Sequence, residues 1–278
     1  MTDTGWQEIR ETVATLYGQI GDAMPPRKTV RRTPVRSDLV WFSADGPQPG
    51  SAVVHVHGGG MVAGSVDLFA PFVADHVARS GVPFLSVEHP RAPEARGTAP
   101  AEAVFAALTW LHAHAAELGV DPARIGLFGH SSGAGLAAGA AILARDRGVP
   151  VARQILIYPM LDDRTTAPDP HLAPVATWTY ANNAVGWEAL LGGDEADPVA
   201  APARLADASG LPPAYIEVGE LDIFRDKDVA YAAKLWRAGV SAELHVHPGL
   251  THGFDHALPD AEVTRRVLAD RVRVLRSL

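Results

Sequence analysis

Cysteine is missing from all 278 residues, so disulfides, thiolate nucleophiles and cysteine–zinc sites are excluded at the outset. Lysine is nearly missing too. It occurs only at Lys28, Lys227 and Lys234, and arginine supplies the rest of the positive charge. Basic residues adjoin only in pairs, such as Arg31 with Arg32 and Arg265 with Arg266, and the formal net charge is −8. That balance argues against a nucleic-acid partner. No apolar run approaches the ~20 residues that a membrane-spanning helix needs. The first ten residues lack the basic-then-apolar pattern of a secretory signal, so the expectation is a cytoplasmic enzyme without membrane attachment. Internal repeats and low-complexity tracts are absent as well.

From about residue 51 onward, short apolar runs alternate with longer amphipathic ones. This is the pattern of an α/β protein built from β-α-β units around a mostly parallel sheet. Buried strands are predicted over 52–57, 84–87, 125–128, 155–158, 214–218 and 242–246. Helices are predicted over 68–79, 101–117, 133–147, 227–238 and 261–275. Asp226 is placed to cap the fourth helix and Gly239 to end it. Residues 31–42 supply two antiparallel edge strands. Two stretches fall outside the alternation: an amphipathic helix over 4–22, and residues 162–210, rich in Pro, Ala and Asp with Trp178, Tyr180 and Trp187 among them. An insertion of that length in a compact domain usually serves function, as a lid or binding element. The whole chain reads as one domain, with cap elements at roughly 1–25 and 162–210.

Between the strand 125–128 and the helix that follows stands Gly129-His130-Ser131-Ser132-Gly133, a G-x-S-x-G sequence in its strand–turn–helix setting. The sharp turn lifts the serine oxygen above the sheet, and the flanking glycines let strand and helix approach. Ser131 is therefore the nucleophile. Ser132 is flanked instead by His130 and Ala134, whose side chains would crowd such a turn. Upstream, the strand 52–57 runs into Gly58-Gly59-Gly60. Consecutive glycines there suit a backbone that must approach a developing oxyanion with its N–H groups. Gly59 and Gly60 are favoured over Gly58, joined by the N–H of Ser132, while His57 orients the loop through hydrogen bonds.

In this architecture the acid and the histidine follow the serine from loops after later strands. The strand 214–218 leads to Gly219-Glu220-Leu221-Asp222, and Asp222 is chosen as the acid over Glu220 and Asp226. The last strand leads to His252, set between loop residues that let it reach back over the serine. Imidazole, with an ordinary pKa of roughly 6.5, can take the serine proton and return it to a leaving group. His256 lies beyond that turn. His245 and His247 share a strand face, but no third ligand accompanies them at a familiar spacing. A structural role is expected for both. No metal and no cofactor are called for.

As a set, His57 to Gly60, Gly129 to Gly133, Asp222-Ile223-Phe224-Arg225-Asp226 and His252-Gly253-Phe254 resemble the hormone-sensitive-lipase-like esterases and lipases of the α/β-hydrolase fold. The resemblance covers roughly 50–278. It implies an eight-stranded sheet, a cap from the amino-terminal helix plus the 162–210 insertion, and cofactor-free hydrolysis of carboxylic esters. Three features depart from that family. His130 and Ser132 stand where Asp or Thr and Ala are usual. The motif Tyr-Arg-Leu-Ala-Pro-Glu becomes His89-Pro90-Arg91-Ala92-Pro93-Glu94, and the amino-terminal cap segment is short. These touch surrounding packing and the pocket mouth and leave the triad intact.

The expected function is thus a serine carboxylesterase acting on small esters, of short acyl chain or small aromatic character. Amide or formamide hydrolysis by the same residues is an alternative. A non-catalytic receptor on the same fold is a weaker one, because such relatives lose the histidine. The apolar residues Val263, Val267, Val274 and Leu275 of the last helix are expected to pack in the core, a homodimer contact being the other possibility.

Overall fold

The computed structural model describes residues 5–278. The chain begins with α1 (Gly5–Ala23), then the hairpin β1 (Val30–Arg36) and β2 (Leu39–Ala44). There follow β3 (Ala52–Val56), α2 (Val66–Ser80), β4 (Phe84–Val87), α3 (Ala99–Ala113), β5 (Ile125–His130), α4 (Ser132–Asp146) and β6 (Gln154–Ile157). The rest comprises α5 (Tyr180–Leu191), β7 (Ala214–Gly219), α6 (Arg225–Arg237), β8 (Ala242–His247), α7 (Phe254–Ala257) and α8 (Glu262–Arg276). The strands form one eight-stranded sheet in the order β1-β2-β4-β3-β5-β6-β7-β8. β1 pairs with β2 and β2 with β4 antiparallel; every pairing from β4 through β3 to β8 is parallel.

The predicted α/β class and eight strands therefore stand. β3, β5, β6 and β7 are buried along their whole length because helices cover both faces of the sheet. Two core clusters result. The larger surrounds α3 and α4 and extends to α5 and α6; the other joins β4, β5 and β6 to α2 and α8. Val267, Val274 and Leu275 of α8 are buried in this second cluster, so core packing within the chain accounts for them.

Local chemistry sets several boundaries. Ser65 Oγ accepts from the Leu68 N–H at the start of α2, and Gly81 closes that helix in the left-handed conformation. At α6 the expectation needs correction: the cap residue is Phe224, and Asp226 sits inside the first turn. The reason lies one turn earlier. Asp222 Oδ1 accepts from the Phe224 N–H at 3.0 Å and its carbonyl from Arg225 at 3.2 Å, which starts the helix ahead of Asp226. Gly239 does follow the helix end, at φ 75°.

The helix foreseen over 4–22 is α1, apart from residue 4, which with residues 1–3 of the 1–25 segment lies outside the described residues. α1 packs against α2 and α5, so the segments 5–23 and 180–191 lie together. No helix is long and apolar enough to cross a membrane.

Candidate active site

β5 ends at His130 and α4 begins at Ser132, leaving one residue for the turn. Ser131 takes it at φ 54°, ψ −122°, a conformation costly for any residue with a Cβ. The packing that enforces this is tight. A Cβ on Gly129 would lie 2.4 Å from the Gly133 carbonyl oxygen, and one on Gly133 2.3 Å from those of Val56 and His57. Only glycine fits at either place. Further bonds hold the turn: the Ser131 N–H donates to Ile157 O at 2.9 Å, and Ser131 O accepts from Met160 at 3.1 Å.

The three predicted side chains meet. Ser131 Oγ lies 2.8 Å from His252 Nε2, and His252 Nδ1 lies 2.7 Å from Asp222 Oδ2. Asp222 and Ser131 are buried, while the His252 side chain keeps a small exposed edge. The imidazole is clamped by two aromatic rings at steep angles, Tyr158 at 4.7 Å and Phe224 at 5.2 Å between centroids. The rival acids are engaged elsewhere. Glu220 Oε2 accepts from the Gly249 N–H and so braces the histidine loop, while Asp226 pairs with Arg225. Ser132 Oγ is buried and has no partner among the described residues.

The glycine loop lies against the serine: a Cβ on Gly58 would be 3.3 Å from Ser131 Cβ. Among the described residues, no acceptor meets the N–H of Gly59, Gly60 or Ser132. His57 does orient this loop, with Nδ1 3.0 Å from Gly58 O and its ring stacked on His89 at 4.1 Å. Trp178 closes over the loop so closely that a Cβ on Gly60 would strike its ring. Thr177 Oγ1 donates to His252 O at 2.8 Å. The 162–210 segment is thereby tied to both the glycine loop and the histidine loop. On the other side, Arg10 of α1 donates to the carbonyls of Val62 and Ala92 and to both oxygens of Glu94. A cavity of about 550 Å³ beside His252 is walled by α1 and α5, with Ile9, Val13, Tyr17, Trp178 and Val185 in its lining.

Beneath the site lies a charged cluster that the sequence reading did not foresee. Arg271 of α8 is fully buried between Glu217 of β7 and Asp255 of α7, its Nη1 2.6 Å from Asp255 Oδ2. Tyr158 donates to Asp255 at 3.0 Å, and Tyr215 donates to Glu217 at 2.7 Å. Burial acts to raise the Asp255 pKa, but the Arg271 guanidinium outweighs it and holds the carboxyl well below the usual range. A signal did exist: Arg271 falls four residues after Val267 on the apolar stripe of α8, and Glu217 interrupts an apolar strand.

Six histidines are also buried around β3, β5 and α2: His55, His57, His76, His89, His130 and His256. Burial pushes His57 down to about 4 and His89 to about 3, the latter with help from the adjacent His57. His55 and His130 are held well below the ordinary imidazole value, first by burial and then by other histidines. His130, Asp255 and His256 carry ligand-type atoms within 4.8 Å of one another. They suit a metal poorly, because the Asp255 carboxylate already serves Arg271 and Tyr158. His245 is paired with Glu243 at 2.8 Å and stacks with His247.

Comparison with known proteins bears on the family and the fold. A family model described as alpha/beta hydrolase fold matches residues 53–256. The chain is similar to carboxylesterase NlhH of Mycobacterium tuberculosis, with 38% identity over 240 residues, covering 80% of this chain and 73% of that protein. It is similar to the ethyl acetate hydrolase of Pseudomonas putida, with 33% identity over 215 residues, 74% of this chain and 66% of the other. Among solved structures, a bacterial heroin esterase superposes with TM-score 0.88 and 35% identity, covering 96% of this chain and 90% of that one. The chain belongs to the α/β-hydrolase family, in the bacterial-type esterase branch that resembles hormone-sensitive lipase.

Proposed function

We propose that this protein is a serine carboxylesterase working through an acyl-enzyme on Ser131. The observation that carries this reading is the continuous hydrogen-bonded line Asp222–His252–Ser131, ending on a serine held at φ 54°. Ser131 Oγ attacks the ester carbonyl as His252 Nε2 takes its proton. Asp222 fixes the imidazole so that Nδ1 carries its hydrogen and stabilises the imidazolium that forms. The tetrahedral oxyanion takes the unpartnered N–H groups of Gly59, Gly60 and Ser132, with Gly58 giving the serine room. His252 protonates the departing alkoxide, then activates water to release the acid and free Ser131.

The segments 5–23 and 162–210 act as a cap that walls the substrate cavity. Its volume of about 550 Å³ and its aliphatic and aromatic lining favour short acyl groups or a compact ring. Each acyl CH₂ that finds apolar surface contributes about 0.8 kcal/mol, about fourfold in kcat/KM, until the wall is reached. The names of two relatives, ethyl acetate hydrolase and heroin esterase, fit substrates of this size. Two measurements test the reading. An organophosphonate ester is expected to label one residue, Ser131, by peptide mass mapping; retained esterase activity without an adduct would overturn the nucleophile. On p-nitrophenyl esters from acetyl to hexadecanoyl, kcat/KM is expected to peak at or below octanoyl. A peak at the longest chains, or activation at an oil–water interface, would overturn the cap assignment.

A further inference from the structure

A second cavity, of about 580 Å³, lies between α6, the loop that follows β6 and the segment 203–206. It shares no lining residue with the cavity beside His252. Five cationic side chains line it, Arg164, Arg204, Lys227, Lys234 and Arg237, against the single carboxylate of Asp162. Two of the chain's three lysines are here, on a protein whose net charge is −8.

The positive charge is only partly matched. Asp162 is shared, 2.7 Å from Arg164 and 3.3 Å from Lys227 Nζ. Arg204 takes Asp163 through two bonds of 2.7 Å and lies 3.7 Å from Glu195, while among the described residues Lys234 Nζ donates only to neutral carbonyls, those of Ala203 and Leu205. Arg237 has no ion-pair partner among the described residues. Burial and the nearby Arg164 depress the Lys234 pKa. Lys227, Lys234 and Arg237 recur at helical spacing, so one face of α6 presents them together to the cavity. Ala203, Leu205, Ala230 and Tyr231 complete the wall with apolar surface.

We propose that this cavity binds a small organic phosphate carrying at least two negative charges, its phosphate oxygens held by Lys227 and Arg237 and its carbon skeleton against the alanine and tyrosine wall. Guanidinium forks match phosphate oxygens in pairs, and lysine adds a mobile point charge. This is a binding site apart from the esterase centre.

Calorimetric titration of the full chain with inorganic pyrophosphate tests it, with citrate as a second titrant at matched ionic strength. One-to-one saturable binding of pyrophosphate is expected, weakening as sodium chloride is added. Arg237→Gln and Lys227→Gln are each expected to weaken it about tenfold, as loss of a charged hydrogen bond implies. Arg237 is exposed and has no partner among the described residues, so its variant is expected to keep the parent's circular dichroism. No saturable binding, or unchanged binding in both variants, would overturn the site. Citrate binding as tightly as pyrophosphate would overturn its assignment to phosphate.

Discussion

Mild acid is expected to unfold this protein, and the cause is its buried imidazoles. Take the chain from pH 7.5 to pH 5. In the unfolded state each histidine titrates at roughly 6.5, whereas in the fold His57 and His89 are held down to about 4 and about 3 by burial. Above pH 6.5 both states are neutral at these positions and pH has no effect. Below it the unfolded chain takes up protons that the fold refuses. Stability therefore falls by about 1.36 kcal/mol per pH unit for each group, levelling off only near the folded values. At pH 5 the loss is about 2 kcal/mol per residue, or about 4 kcal/mol for this stacked pair. His55, His76, His130 and His256 are shifted in the same direction and add to it. A domain commonly has about 5–15 kcal/mol in total, so the fall is large.

Urea unfolding followed by tryptophan fluorescence at several pH values between 7.5 and 5 measures the effect directly. The free energy is expected to decline steeply below pH 6.5 with little change in m-value. His89→Asn removes one titrating group and is expected to flatten the slope by about one proton. Unfolding free energies that agree within about 1 kcal/mol at pH 7.5 and pH 5 would refute the reasoning. Because His57 and His89 brace the glycine loop, the same acid is expected to cost activity as the fold opens.

Ser131→Ala is expected to lower ester turnover to below about a hundredth of the parent while leaving the melting temperature close to it; kcat on p-nitrophenyl acetate checks this. Asp222→Asn is expected to cut kcat by on the order of 10⁴ with a small change in KM, and a near-silent effect would remove Asp222 from the role of acid. Arg271→Met strands two buried carboxylates, so a loss of about 3–5 kcal/mol is expected in urea unfolding at pH 7.5. Arg10→Ala frees α1 from Glu94, Ala92 and Val62 and is expected to raise KM more than it lowers kcat, as steady-state kinetics would show.

The sheet was readable because parallel strands covered on both faces are continuous apolar runs. The segment 84–87 matches β4 to the residue, and 125–128 falls two residues short of β5 only because Gly129 and His130 look like turn. The three site residues were readable for a related reason: each stands on the loop after a recognisable strand, in the order the fold dictates. α5 escaped notice. Asn182, Asn183 and Gly186 weaken its helical pattern, and what holds it is the Thr179 cap together with tertiary burial of Trp187 and Leu190. Neither is visible as periodicity.

The Glu217–Arg271–Asp255 cluster was hidden for a deeper reason. The placing of Arg271 and Glu217 among apolar neighbours hints at burial, but the sequence does not pair them with each other or with Asp255, and only the meeting of β7, α7 and α8 in space makes that burial tolerable. His130 belongs to the same layer. Its ring packs among Phe69, Phe128, His55 and His256, and both ring nitrogens lack a partner among the described residues. A charged imidazolium there would face Arg271 across a low-dielectric layer, so the residue before the nucleophile must remain neutral for the fold to hold. The departure that His130 represents thus bears on the pH range in which the enzyme survives. Ser131, His252 and Asp222 keep their hydrogen-bonded line above it.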